Sequence, residues 1–356
     1  MYEEIVKLVE HSKVGHPIFI SAKANRKYWK DFLLLTKDFR EKLSEKEYRE
    51  FLSKSKLDKQ IDIGQYLQFA SEVTVTDYIL RNFEEFVNEP TYDTRMNPEC
   101  SFKYQGRTVN IEVKCPDYTK RKTQENVDVK TFAADRLPNK EVLQDVTKII
   151  NEKLPENETA GIIDRLDNKL KDYLVSAHNK FPTSDNSYFN ILVIALDIIS
   201  DLDEWYTYLF GNEGAFTDNS FIEEDYSNVD AILLTNIQHG HMISPLHGDE
   251  NFNCWHMENY LSLLFLNPLK EENSTLASYY FNNAINIFGP QTADFLQYQC
   301  ELDKANMNKY YPILESHKNE SEQFNRILFD YWINFKITDN EIISEWSKTL
   351  QTRNSN

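Results

Sequence analysis

Two acids and a lysine are spaced so that they could act on a phosphodiester together. Residues 99 to 115 read Glu99-Cys-Ser-Phe-Lys-Tyr-Gln-Gly-Arg-Thr-Val-Asn-Ile-Glu112-Val-Lys114-Cys115. Apolar and polar residues alternate on both sides of Gln105-Gly106, as in two antiparallel strands joined by a two-residue loop. That register sets Glu99 directly across from Glu112. Alternation puts both on one face with Ser101, Asn110 and Lys114. Opposed side chains stand about 4.5–5.5 Å apart at Cβ, where two like charges repel. A divalent cation between them relieves the repulsion. Mg²⁺ (or Mn²⁺) suits the place, because a hard ion takes one or two carboxylates and leaves its other positions to water and phosphate oxygens. Such an ion polarises phosphate and acidifies its water. Lys114 can hold the attacking water and offset charge on the scissile phosphate. The bland alternative is a solvated face on which Lys103 and Lys114 bridge the two acids.

Several elements must position this hairpin. Residues 1–60 read as helices, with a short Ile5, Leu8, Val9 stripe and a Lys-, Glu- and Leu-rich stretch from Tyr28 to Leu57. From Asp62 to Phe86 a helix is expected on the stripe Tyr66, Phe69, Ala70, Val73, Leu80, Phe83 and Val87, weakened at the β-branched run 73–76. Residues 90–98 are irregular, and Pro116 closes the hairpin. Asp117 to Asn139 reads as a loop excursion. Thr159 to Phe181 carries the stripe Ile163, Leu166, Leu170, Tyr173, Leu174, Ala177 and Phe181, with Pro182 just beyond, and predicts one amphipathic helix. Tyr188 to Leu196 is an unbroken apolar run suited to a strand covered on both faces. A short helix over 201–210, a second buried strand over 229–237 and helices from Met257 onward complete a mixed α/β chain. The expected division is a helical segment at 1–60, a core at 61–240 and a mainly helical region at 241–356.

Pro98-Glu99, a hairpin, then Glu112-Val113-Lys114 resembles the PD-(D/E)xK nuclease superfamily, with its restriction-endonuclease-like fold. The likeness implies a mixed central sheet flanked by helices, here with helical N- and C-terminal extensions. It implies Glu99, Glu112 and the backbone carbonyl of Val113 as metal ligands, and Lys114 as a catalytic residue. The family's preceding helix often adds an acid, matched by Glu72 in Gln68-Phe-Ala-Ser-Glu72. The following helix often adds a Lys or Gln, for which Lys169 is chosen, and 188–196 would be the fourth strand. Glu99 departs from the family's usual Asp by one methylene. Glu112-Val-Lys114 is the sole Glu-x-Lys of the chain, and the competing Asp128-Val-Lys130 and Asp167-Asn-Lys169 follow no hairpin with an opposed acid. The implied activity is Mg²⁺-dependent endonucleolytic cleavage of nucleic acid, DNA more than RNA, in restriction or phage defence. A homodimer or a defence-complex partner fits that role. The alternative is a non-catalytic nucleic-acid-binding or regulatory subunit on the same fold.

Charge neither demands nor forbids such a substrate. The 356 residues carry a net charge of −18, but 14 Lys and Arg face 10 Asp and Glu in residues 1–60. Residues 99–122 hold six basic and three acidic side chains. Phosphates are bound by local patches rather than by the mean charge. Lys120, Arg121 and Lys122 are the expected backbone-binding residues, with a second basic stretch at Lys23–Lys30. No stretch is apolar for the roughly 20 residues that span a bilayer. The first residues lack a signal-peptide pattern, so no membrane partner and a cytoplasmic location are expected. Four scattered cysteines make no disulfide framework. His239-Gly-His241, His247 and Cys254-Trp-His256 crowd together, but one Cys with scattered His is a poor zinc pattern. They read as a polar loop after a buried strand. Cys100 and Cys115 fall on the apolar face of the hairpin, and the acids at 201–204 suit a helix start.

Overall fold

A computed structural model describes residues 5, 16–57, 61–94, 96–118, 129–131, 140–155, 160–162, 167–183, 185–197, 199–210, 214–216, 226–245, 252–267, 274–284 and 287–288. Three helices come first: α1 (Pro17–Ala24), α2 (Arg26–Lys42) and α3 (Glu45–Ser55). Each starts on a polar cap. Asn25 accepts from the Lys27 and Tyr28 amides, and Ser44 forms a reciprocal capping box with Glu47. The long helix α4 (Ile63–Asn82) is capped by Asp62, which accepts from Gln65 N. It runs unbroken through the β-branched stretch, because Val73, Thr74 and Val75 are buried there and packing outweighs propensity.

Helix α4 stops earlier than the stripe suggests. Phe83 is extended and packs on Phe102 at 4.4 Å between ring centroids. Residues 84–88, expected as the end of the helix and then a link, form strand β1 (Glu84–Asn88). Strands β2 (Cys100–Tyr104) and β3 (Arg107–Lys114) follow as the expected hairpin, with Tyr104 paired to Arg107. Gln105 and Gly106 both take positive φ, 45° and 82°, the geometry a two-residue hairpin loop needs. Several later expectations change. Residues 129–131 form β4 (Val129–Thr131) inside the expected loop, and it pairs with β5 (Ala160–Ile162). Between them lies α5 (Lys140–Asn151), a helix that is not among the expected elements. The expected helix over 159–181 therefore begins later, as α6 (Asp167–Lys180). Its first residues carry Gly161, a poor helix former, and pair as a strand instead.

Strand β6 (Tyr188–Ala195) lies parallel to β3, and helix α7 (Ile199–Phe210) leads to β7 (Ala231–Thr235), parallel to β6. Helix α8 (Ile237–Ile243) and α9 (Ser274–Asn282) flank β8 (Ser262–Leu266), which is antiparallel to β7. The strand β8 falls where helices were expected. Its residues are buried throughout, so a short apolar run carried no period to separate strand from helix. The main sheet has the order β1-β2-β3-β6-β7-β8, mixed and flanked by helices. No helix among the described residues is long and apolar enough to cross a membrane.

Two apolar clusters hold this frame. The larger joins the sheet to α6, α7 and α9, and the smaller joins α1–α3 to α4, α8 and Trp255. Helix α8 replaces the expected polar loop, and all seven of its residues are buried. A Cβ on Gly240 would meet the Tyr260 hydroxyl at 2.2 Å, so only glycine admits this approach. The polar face of β3 is also covered. Asn110 and Glu112 are fully buried, and Ser101 nearly so, which removes the solvated-face alternative for Glu112.

Candidate functional site

The hairpin register delivers the opposed acids. Cys100 pairs with Ile111, one step from Glu99 and Glu112, and Glu99 N donates to Ile111 O at 2.9 Å. Lys114 Nζ lies 2.8 Å from Glu112 Oε1, back along the same strand face. A second ammonium converges on that oxygen: Lys180 Nζ, from the last residue of α6, at 2.7 Å. It also stands 3.8 Å from Glu99 Oε1. Both contacts on Glu112 have ion-pair distance without hydrogen-bond angles. Glu112 Oε2 has no polar partner among the described residues, although it is buried.

A third lysine comes from α3. Lys54 Nζ sits 2.6 Å from Glu89 Oε1 and 3.4 Å from Glu99 Oε2. Burial opposes its charge, but Glu99, Glu89 and Glu72 together hold the ammonium above its ordinary pKa. Helix α4 adds an acid through a glutamine clamp. Gln68 Oε1 accepts from Cys115 N at 2.9 Å, while its Nε2 donates to Val113 O at 3.3 Å and to Glu72 Oε1. Gln68 thus ties α4 to the end of β3 and aims Glu72 at the acids. Burial first, then the charge of Glu99, pushes the Glu72 carboxyl up to about 7, against the pull of Gln68 and Lys54. Glu112 is also raised, by burial, although Lys114 and Lys180 pull it down.

Glu72, Glu89, Glu99 and Glu112 therefore face Lys54, Lys114 and Lys180. With every group ionised, one negative charge remains. A divalent cation fits this donor set: the bare Glu112 Oε2 and the opposed Glu99 are hard oxygen donors, and proton uptake by Glu72 is the alternative way to offset the surplus. Among the described residues no three His, Cys, Asp or Glu side chains form a ready-made protein cage. Mg²⁺ does not require one, since it keeps several waters. The Val113 carbonyl is already engaged by Gln68 and would have to share that bond.

The structure brings Glu72, Glu99, Glu112 and Lys114 together and leaves Lys169 out. Lys169 lies in the first turn of α6, with its side chain 59% exposed and 4.0 Å from Asp172. Lys180 stands at the site instead, near the opposite end of the helix. The long stripe over 159–181 concealed this, because it placed Lys169 mid-helix. A lysine one residue before the Phe181-Pro182 stop was the available signal. Lys54 and Glu89 had none, since only tertiary packing carries α3 to β2. Lys120, Arg121 and Lys122 lie outside the described residues, as does His247.

Two histidines of the Cys/His cluster are engaged by buried partners. His241 is held by Tyr28 OH at 2.8 Å and Thr74 Oγ1 at 2.7 Å, and His239 Nδ1 meets Asp197 Oδ1 at 2.7 Å. Cys254 and Cys100 are buried, while Cys115 is half-buried. No protein-family model, curated protein or solved structure matches the chain.

Proposed function

We propose that this chain is a Mg²⁺- or Mn²⁺-dependent nuclease that hydrolyses phosphodiester bonds of DNA, on a restriction-endonuclease-like fold. Glu112 carries the reading. It is a fully buried carboxylate with one bare oxygen, opposed by Glu99 and approached by Lys114 and Lys180. A bare buried carboxylate oxygen costs free energy in a fold that makes no use of it. The element order supports the fold: a helix, three antiparallel strands and then, after β4, α5 and β5, a helix and a strand parallel to the third.

Glu99 and Glu112 would hold the ion, which when bound supplies charge neutralisation at the phosphate and an acidified water. Lys114 orients the attacking water and offsets developing phosphate charge, and Lys180 supplies a second cation on the same side. Glu72, titrating near neutrality, can take or return a proton. A role in restriction or phage defence, as a homodimer or within a complex, rests on family likeness alone. A second reading has its own support. Two lysines already sit on Glu112 Oε1, and such a network suits a non-catalytic nucleic-acid-binding subunit.

Supercoiled plasmid incubated with Mg²⁺ or with EDTA separates the two. The nuclease nicks or linearises it with Mg²⁺ only. Glu112→Gln, which keeps the side-chain volume, and Lys114→Ala each lower the rate by about 10²-fold or more. Lys180→Ala lowers it as well, whereas Lys169→Ala leaves it unchanged. Full activity in folded Lys114→Ala would remove the mechanism. Binding without cleavage of DNA or RNA by either ion would favour the second reading.

A further inference from the structure

A recess opens beside the site, at the C-terminal end of α6. Its walls include Tyr92 and Asp93 after β1, His178 and Asn179 of α6, Tyr188 at the start of β6, and Asn228. It adjoins the acids through Lys180: the neighbouring Asn179 and Phe181 line the recess, and Thr94 Oγ1 donates to the Lys180 carbonyl at 3.3 Å. Behind the lining runs a chain of polar side chains. Tyr92 OH donates to Asn110 Oδ1 at 2.6 Å, and Asn110 Nδ2 donates to Asn190 Oδ1 at 2.8 Å. Asn190 Nδ2 donates to Asn228 O at 2.8 Å, and His178 Nδ1 accepts from Asn228 N at 3.3 Å. This chain fixes the Tyr92 ring two residues along β3 from Glu112. Tyr92 and Tyr188 meet edge to face, 5.7 Å apart at 84°.

The lining chemistry selects one kind of occupant. Two half-buried tyrosines offer aromatic faces, and stacking on such faces holds a base without any charge. Among the described residues lining it there is no Lys or Arg, and Asp93 and Asp185 repel phosphate. A carboxylate there accepts hydrogen bonds, which matches the exocyclic amino group of cytosine, adenine or guanine; unpaired thymine offers only its N3–H, flanked by two carbonyls that a carboxylate repels. Resting on the nuclease reading for its orientation, we infer that this recess binds an unpaired, amino-bearing nucleobase whose phosphate is turned out toward Lys180 and Lys114. The substrate is then a single-stranded end or a flipped nucleotide, because a stacked and paired base cannot enter.

Fluorescence anisotropy of the full chain in EDTA, with labelled oligodeoxycytidylate and oligothymidylate, tests this without any cleavage. The cytidylate binds more tightly, by about ten-fold. Tyr92→Ala loses that preference, while Tyr92→Phe keeps it because the ring remains. With Ca²⁺ in place of EDTA, which would free the Lys180 ammonium, Lys180→Ala weakens both oligomers alike. If Tyr92→Ala does not fold, Asp93→Asn, an exposed change, must reduce the preference for cytidylate. Equal binding of the two oligomers, or an unchanged preference in both Tyr92→Ala and Asp93→Asn, overturns the recess as a base site. Base preference in a chain that cleaves nothing supports the recess and removes the nuclease reading. Cleavage without base preference removes the recess alone.

Discussion

Glu72 decides how the acid cluster behaves at neutral pH. Its carboxyl is raised from 4.5 to about 7, chiefly by burial and then by Glu99, so folding favours the neutral form. The sign follows from linkage. Whatever stability this group contributes is complete below pH 4.5 and is lost as pH rises through 7. Glu72→Gln keeps the shape and abolishes the titration. In urea denaturation with EDTA it should match the parent at pH 5 and exceed it at pH 8 by about 1–3 kcal/mol, after allowance for partial screening. Equal stabilities at pH 8 would mean that Glu72 is solvated there. Metal binding should release a proton near pH 6 in the parent, seen as a buffer-dependent enthalpy, and less in the variant. At this scale the acids are legible in the sequence, because strand register is local: a two-residue loop fixes Glu99 against Glu112. The lysines are less so. Lys114 shares the strand, but Lys180 depends on where a helix starts and Lys54 on how a separate helix packs.

At the scale of elements, the seat of α8 governs how the N-terminal helices meet the sheet. His241 joins α8 to Tyr28 of α2 and Thr74 of α4, and Tyr28 in turn hydrogen-bonds Tyr66. His16, before α1, accepts from Ile18 N on Nδ1, so its Nε2 carries the proton and donates to Ser55 O of α3 at 3.0 Å. Burial lowers His16 to about 4 and His241 to about 3, against the ordinary 6.5. Depressed values mean that the stability these rings contribute is full above pH 6.5 and is lost as pH falls toward 4. The loss is up to about 3 kcal/mol for each ring. Urea midpoints measured from pH 7 down to 4.5 should fall steeply, and a flat profile would mean that the rings titrate normally. These elements also mark the limit of pattern reading. The helices α2 to α4, the hairpin and the strands β6 and β7 each carry a period or an unbroken apolar run of sufficient length. Strand β1 does not: Phe83 and Val87 fit the helical stripe of α4, and only pairing with β2 makes 84–88 a strand. Helix α8 was hidden because three polar residues, Gln238, His239 and His241, are buried by partners distant in sequence.

For the molecule as a whole, the proposed nucleic-acid substrate sets a demand on a chain of net charge −18: positive charge must be presented where the phosphates would lie. The three lysines at the site are each committed to carboxylates: Lys54 to Glu89 and Glu99, Lys114 to Glu112, and Lys180 to Glu112 and Glu99. A divalent ion held by Glu99 and Glu112, as proposed, would reverse the local sign and free those ammoniums for phosphate. On the proposed reading, DNA binding and ion binding are coupled, and by linkage each should strengthen the other equally. Ca²⁺, a hard oxygen-seeking ion, serves as the probe. Duplex DNA should bind about ten-fold more tightly in Ca²⁺ than in EDTA, with a salt series in each condition giving the number of phosphates neutralised. The few local cations suggest roughly three to six phosphates per chain, at a log–log slope near 0.9 for each. The slope in Ca²⁺ should be the steeper, because the freed lysines join the contacts. Replacing Lys120, Arg121 and Lys122 with Ala should reduce the slope in both conditions by a similar amount and weaken all sequences alike, since backbone contacts position without specifying. An affinity indifferent to Ca²⁺ would mean that Glu99 and Glu112 do not hold the ion that screens the substrate. A slope unchanged by the triple replacement would place the backbone contacts on the N-terminal basic stretch at Lys23–Lys30 instead.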